Sequence, residues 1–494
     1  VQRTSGLLLH LTSLPGRFGI GDLGAESRRF IDFLAAAGQR WWQLLPINPT
    51  GYGNSPYSAF SAFAGNPLLI SPDELAAAGD LDEDDLAAWR LAPEHTDYGH
   101  AWRCRRQLLP QAAGRFFRQA GKARKATFDT FCAEQAFWLN DYALFQALRE
   151  HFGNRDWTRW PEPIRDRREE ALRNWGERLA GRILQLKYEQ FVFFEQWRKL
   201  KKHAGRHGIG LFGDMPIFVA LDSADVWCNR PLFRLDGQGQ PTAVAGVPPD
   251  YFSERGQRWG TPLYDWPAHQ AQDFSWWKAR LRWNLQLFEL LRIDHFRGFA
   301  ACWVIPADSE DATGGAWEQV PGDRLFRSLT DELGVLPLVA EDLGIITDDV
   351  TALKRRWGWP GMKVLQFAFD SGPDNPYLPH NHEENCVVYT GTHDNDTTLG
   401  WWQKLDGHAR NRVRSYLMRS CRDMPRELIR EAMASVARLC ILPVQDILAL
   451  PSTARMNRPG APSGNWTWRL PDDALTDALA SELRRLTERY GRLA

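Results

Sequence analysis

LLRIDHF, residues 290–296, is an apolar run broken by Arg292 and closed by Asp294 and His295. Arg292 and Asp294 stand two apart, so an extended strand puts both side chains on one face. A short apolar segment with charge at its C-terminal end suits a buried parallel strand, whose chemistry gathers at that end. Seven further runs share this form. They are LLLHLTS (7–13), WWQLLPINP (41–49), GIGLFGDMP (208–216), LPLVAEDLG (336–344), GMKVLQFAF (361–369), CVVYTGTHD (386–394) and CILPVQDIL (440–448). Eight is the strand number of a (β/α)8 barrel. A doubly wound open sheet is the rival, because eight runs do not establish closure.

Helical spacing fills several gaps. SRRFIDFLAAAGQR (27–40) fits the crossover between the first two runs, and Leu281, Leu285 and Phe288 recur at helical intervals before the fourth. The alternation predicts an α/β fold, a TIM (β/α)8 barrel. The stretch between Pro49 and Gly208 exceeds any ordinary barrel connection. Within it DELAAAGDLDEDDLAAW (73–89) and FDTFCAEQAFWLNDYALFQALRE (128–150) read as helical, so 51–205 is expected to be a long, mainly helical insertion. A second excursion, 222–272, is read as an active-site loop and insertion region. Its Gly- and Pro-rich part, residues 236–266, is expected to be a loop near the active mouth.

Composition narrows the function. With 60 basic and 61 acidic residues the net charge is −1, which provides no global field for nucleic acid or an anionic membrane. The 7 cysteines lie far apart without a CxxC pair, which points to reduced thiols and a cytoplasmic protein. No segment approaches the length of an apolar membrane span. The 23 tryptophans can stack on sugar faces, although most tryptophans simply pack.

If the eight runs are the barrel strands, Asp214, Asp294, Glu341 and Asp394 fall at the ends of the third, fourth, fifth and seventh. Barrel closure brings such ends together, and several carboxylates around a concave site suit acid/base or nucleophilic chemistry. Cleavage of a glycosidic bond needs one carboxyl to protonate the leaving oxygen and another to attack the anomeric carbon or activate water. Crowded carboxylates favour retention of one proton. Glu341 can supply it, and Asp294, beside Arg292, can serve as nucleophile. An ordinary structural Arg–Asp pair explains the same local pattern.

Metal chemistry is a second reading, with His10, His295 and His393 beside Asp214, Asp294, Glu341 and Asp394. No HExxH or comparably spaced local metal motif is read in its support, and the histidines suit sugar hydroxyls equally well. Within VAEDLG (339–344) Asp342 can cap a turn or helix. Within HDND, Asn395 and Asp396 can hold a strand-to-helix turn.

Taken together, LRIDHFRGF, VAEDLG and TGTHDNDTT resemble the amylomaltase or 4-alpha-glucanotransferase family, glycoside hydrolase family 77. LLHLTSLPGRFGIGDLG (8–24), LLPINPTGYGNSPYSAFSAFAGNPLLI (44–70), LFGDMPIFVALDSADVW (211–227) and PPDYFSERGQRWGTPLYDW (248–266) extend the likeness nearly end to end. The resemblance implies retaining double displacement on alpha-1,4-glucans such as maltooligosaccharides, amylose or starch. It makes Asp294 the nucleophile, Glu341 the general acid/base and Asp394 the transition-state-stabilising carboxylate. The distinction between Asp294 and Asp394 comes from the resemblance alone. Tyr57 is similar to a glucan-contact residue of the family, and Tyr251, Phe252, Gln257 and Trp259 fall on the loop expected to cover the acceptor side. Asp214, Arg292, His295 and His393 are further expected contacts. No organic cofactor or metal is expected. An amylase-like hydrolase is the nearest alternative, and a non-catalytic glycan-binding module is the alternative from another class.

Overall fold

The computed structural model describes residues 3–91, 93–249, 254–461 and 463–493. Twelve strands form among them: β1 (Thr4–Leu8), β2 (Trp41–Gln43), β3 (Gly210–Pro216), β4 (Ala243–Val247), β5 (Gln257–Pro262), β6 (Leu290–Asp294), β7 (Ala301–Pro306), β8 (Ala316–Gln319), β9 (Leu338–Ala340), β10 (Gly361–Val364), β11 (Cys386–Tyr389) and β12 (Leu439–Pro443). Eight make one parallel sheet in the order β10-β11-β12-β1-β2-β3-β6-β9. That order circles in a single direction with no reversal, so the sheet lacks the switch point of a doubly wound fold. The two edge strands meet where the Ala340 N–H donates to the Pro360 carbonyl at 2.9 Å. The sheet therefore rolls into a barrel.

These strands are apolar because helices or barrel packing cover both of their faces. Every residue of β11 and β12 is buried. Helices Ala25–Ala36, Ala180–Arg206, Ser275–Leu287, Gly322–Leu333 and Asp348–Trp357 form crossovers between successive barrel strands. Helix Asp477–Arg489 completes the ring by returning to the first helix, where the Gln39 amide donates to Thr487 Oγ1 at 2.9 Å. Trp197, 1 % exposed, meets the Phe288 ring edge-on and ties the Ala180–Arg206 helix to the barrel. Burying such a side chain contributes about 1.5–3 kcal/mol.

All eight expected runs overlap a barrel strand, but three are placed differently in detail. The first strand spans Thr4–Leu8 and has ended before Leu11–Ser13 forms a 3-10 turn, so it starts ahead of the 7–13 run. Apolarity persists there because the turn too is buried. LQF of the sixth run is likewise a 3-10 turn, and VQDI of the eighth is a short helix. The β10–β11 connection contains no α-helix, and the side chain of Asn375 braces it by donating to Phe367, Asp370 and Ser371.

Between β2 and β3 the chain is helical, including Tyr98–Gln119, Lys122–Glu134 and Ala136–His151. The 73–89 pattern forms two short helices, Pro72–Ala77 and Glu83–Ala87, parted at Gly79, whose φ of +78° stops the first. The 128–150 pattern likewise divides at Gln135. The loop expected at 236–266 is partly a sheet: β4 and β5 pair antiparallel with each other and continue through β7 to β8. Its turn residues masked two short strands, and ACWVIP (301–306) was not read as a strand because no flanking repeat marked it.

Candidate active site

Strand register aligns the carboxylates. Pro216 lies opposite Asp294 and Asp214 opposite Arg292, while Ile293 lies opposite Ala340, one residue before Glu341. Asp294 is thus the last residue of β6 and Glu341 follows β9 directly. Asp214 lies inside β3, two residues short of its end, and Asp394 lies in the loop beyond β11.

Arg292 is the hub. Its Nη1 donates to Asp214 Oδ2 at 2.5 Å and its Nη2 to Asp294 Oδ1 at 2.7 Å. The side chains of Asp214 and Arg292 are 0 % and 4 % exposed, whereas that of Asp294 keeps 29 %. Asp214 is therefore the buried counter-ion, and Asp294 is the carboxylate that opens to the mouth. The guanidinium occupies the space between them that a bridging metal ion would need, and among the described residues His10, His295 and His393 do not gather with these carboxylates at metal-ligand spacing.

Tyr57 reaches this hub from the segment after β2. Its hydroxyl donates to Asp214 Oδ2 at 2.7 Å and accepts from His393 Nε2 at 2.8 Å, and its ring stacks on His393 with centroids 5.3 Å apart. Burial pushes the His393 imidazole pKa down, so it is neutral at pH 7. His393 Nε2 also lies 3.4 Å from Asp394 Oδ1. Burial, with His393 nearby, drives His10 behind this pair to about 3.

Asp394 is held by a loop that sequence reasoning passed over. Asn457 Nδ2 donates to Asp394 Oδ1 at 2.6 Å, and Arg455 Nη2 donates to its backbone carbonyl at 2.6 Å. Both lie beyond β12, in the polar, Gly- and Pro-containing stretch TARMNRPG. Their position after the eighth barrel strand was the available signal. The rest of HDNDTT builds a turn: Asn395 Oδ1 accepts from the Thr392 N–H and hydroxyl, Asp396 pairs with Lys404, and Thr397 caps the following helix through the Gly400 N–H.

Glu341 sits in a backbone cradle. It accepts from the His295 N–H at 2.7 Å and the Leu343 N–H at 2.9 Å. His295 has φ of +54°, a left-handed conformation costing a non-glycine residue about 1–2 kcal/mol, and this turn points its N–H at Glu341. Burial first, then the Asp294 charge, raises Glu341 to about 8; Arg292 and the two N–H groups oppose the rise. Asp294 is raised to about 6 by burial, with Arg292 opposing and the Asp214 and Asp394 charges adding. Near neutral pH the pair therefore holds one proton between them, and the larger upward push falls on Glu341. Neighbouring Asp342 bolts the strand end rather than capping a helix, accepting from Lys354 Nζ at 2.5 Å and the Met362 N–H at 2.7 Å.

On the other wall Trp259, 38 % exposed, stands edge-on to the His295 ring at 4.8 Å and donates from Nε1 to Gln257 Oε1 at 3.2 Å. His295 Nε2 is buried without a hydrogen-bond partner. The remaining expected contacts, Tyr251 and Phe252, lie outside the described residues. Most tryptophans, including fully buried Trp42, Trp157, Trp197, Trp227 and Trp277, serve packing.

Two carboxyls of split acidity, a third on a neighbouring loop and an aromatic wall make up a barrel mouth suited to glycosidic chemistry. A family model described as 4-alpha-glucanotransferase matches residues 9–476. The chain belongs to the 4-alpha-glucanotransferase family, glycoside hydrolase family 77. A 4-alpha-glucanotransferase of Thermus thermophilus is 50% identical over 100% of both chains, and one of Synechocystis is 49% identical over 99% of this chain and 98% of the other. The solved amylomaltase of Streptococcus agalactiae in complex with acarbose is 39% identical, with a TM-score of 0.96 over 99% of this chain and 100% of that one. These likenesses make the chain a transferase of the amylomaltase type and separate it from a bare glycan-binding module.

Proposed function

We propose that this 4-alpha-glucanotransferase works by retaining double displacement at Asp294, Glu341 and Asp394, with maltooligosaccharides, amylose or starch-like glucans as donor and acceptor. The observation that carries the proposal is the convergence of Asp294 and Glu341 from the adjacent strands β6 and β9, Asp294 held by Arg292 and Glu341 by two backbone N–H groups, with burial pushing both carboxyls up and Glu341 further. Glu341 donates its proton to the glycosidic oxygen as Asp294 attacks C1. Arg292 engages Oδ1 of Asp294, so we assign the attack to Oδ2. The departing glucan leaves with the proton, and Asp294 is esterified to the retained segment. Glu341, now a carboxylate, takes the proton of an incoming 4-hydroxyl, whose oxygen attacks C1 and releases Asp294. Two inversions restore the alpha configuration.

Asp394 faces the developing positive charge of the sugar, and the Asn457 hydrogen bond supports its orientation. His295 Nε2 suits a sugar hydroxyl, since a buried polar atom without a partner is costly. Trp259 and Gln257 from the 222–272 segment, and Tyr57 from the 51–205 insertion, frame the bound glucan. Acceptor capture on such a surface favours sugar over water by positioning its hydroxyl. The seven cysteines are free thiols, which supports a reducing compartment, the cytoplasm.

Incubation with maltotriose tests the proposal. Glucose together with longer oligosaccharides of retained alpha linkage is expected early in the time course. Trapping with a slow fluorosugar donor should label Asp294; a label on another carboxylate, or a beta-linked first product, overturns the assignment.

A further inference from the structure

On the outside of the barrel, away from the catalytic mouth, two crossover helices bring a different set of ligand atoms together. His203 lies in the last turn of helix Ala180–Arg206 and His207 is the residue that ends it. Asp32 projects from the adjacent helix Ala25–Ala36. His203 Nε2 is 2.7 Å and His207 Nε2 is 3.5 Å from the same oxygen, Asp32 Oδ1. All three ligand atoms lie within 4.8 Å of one another, and among the described residues this is the one group of three His, Cys, Asp or Glu side chains so disposed. β3 begins three residues after His207, at Gly210, so the cluster lies at the N-terminal end of the barrel, opposite the strand ends that carry the carboxylates.

We infer that Asp32, His203 and His207 form a binding site for a divalent transition-metal ion of the zinc type that clamps these two helices together. The four-residue spacing sets both imidazoles on one helical face, a local metal-binding pattern that the sequence reading passed over. The second observation is the orientation of His207. Its Nδ1 lies 3.0 Å from the His203 carbonyl, and because a carbonyl only accepts, the ring proton is on Nδ1. With Nδ1 engaged by that carbonyl, Nε2 is the ring nitrogen left to serve as a ligand, and it is directed at Asp32 Oδ1. Metal-binding histidines are commonly oriented by such a bond from the other ring nitrogen.

The rest of the chemistry agrees. Two imidazoles and one carboxylate suit zinc, with bond lengths of about 2.0–2.2 Å and water completing the tetrahedron. Reaching those lengths requires the His203 and Asp32 side chains to separate by about 0.7 Å, within reach of partly exposed groups, and the Nε2 proton of His203 to move to Nδ1 or to solvent. The helix C-terminus adds partial negative charge from its final carbonyls, which favours a bound cation. The ion does not enter the glycosyl-transfer steps. It joins the helix after β1 to the helix before β3 and stabilises the folded chain by binding it preferentially.

Zinc chloride is titrated into metal-stripped protein against a chromophoric chelator, with the thermal midpoint and maltotriose turnover followed in parallel. One zinc per chain at micromolar concentration, with a raised midpoint and unchanged kcat and KM, is expected. His203→Ala, His207→Ala and Asp32→Asn should each weaken zinc binding about tenfold or more, leaving metal-free turnover intact. These residues lie at the surface, so the variants remain folded, and circular dichroism verifies this. Wild-type zinc affinity in His203→Ala/His207→Ala, or no zinc uptake by the wild type in the micromolar range, overturns the inference.

Discussion

Replacing Glu341 by glutamine should stabilise the protein at neutral pH, with a dependence on pH whose sign follows from the site. Burial and the Asp294 charge raise this carboxyl from its ordinary 4.5 to about 8 in the folded chain. The unfolded chain loses the proton near 4.5, so between 4.5 and 8 unfolding releases a proton that folding retains. At pH 7 the wild type has given up about 3 kcal/mol relative to strongly acidic solution, since folded and unfolded values differ over most of that range. Glutamine has no such ionisation. It presents an NH2 to one of the two backbone N–H groups that the carboxyl accepts, a loss of about 1–2 kcal/mol. The variant should therefore be more stable by about 2 kcal/mol at pH 7. Well below pH 4.5 the ionisation penalty vanishes and the variant should be the less stable one. The wild type's stability relative to the variant is full below the unfolded-state pKa and is lost as pH rises through the folded-state value. Urea unfolding followed by tryptophan fluorescence at pH 4, 5.5, 7 and 8 reads the difference directly. A wild-type-to-variant difference that stays constant across that range would refute the reasoning.

The pH profile of kcat/KM for maltotriose should be a bell, rising as Asp294 ionises near 6 and falling as Glu341 ionises near 8; a flat profile from 5 to 9 contradicts the split. Asp214→Asn removes a negative charge that raises Asp294, so the acid limb should move down by about one unit, while the broken buried pair costs about 3 kcal/mol in urea unfolding. Asn457→Ala should lower kcat/KM about tenfold or more by freeing Asp394, with little change in thermal midpoint. In Gly361→Ala the new Cβ would lie 2.2 Å from Asp342 Oδ2 and 2.4 Å from Lys354 Nζ, so the ion pair must shift at a cost of about 1–3 kcal/mol, measured by urea unfolding.

The barrel was legible because parallel strands covered on both faces must be apolar, and the chain repeats that signature eight times. LLRIDHF also revealed that Arg292 and Asp294 share a face, since strand periodicity is a local property. The β4–β5–β7–β8 sheet was less visible. Its strands are short, three of the four contain Gly or Pro, and antiparallel pairing joins segments separated by the whole of helix Ser275–Leu287. Asn457 and Arg455 were missed for a related reason: their partner, Asp394, is more than sixty residues away, and nothing in their neighbours announces it.

Sequence by itself determined the parallel strands, the acidic strand ends and, through the family motifs, the kind of reaction. Tertiary structure alone decided which carboxylate is sealed and which is open. Asp214 and Asp294 look equivalent in the chain, yet one is enclosed against Arg292 and Tyr57 while the other meets the mouth. Acidity likewise depends on burial and on charges brought close by folding, so the proton held by Glu341 could not be read from its neighbours. The left-handed turn at His295 and the register of β6 against β9 place that proton beside Asp294.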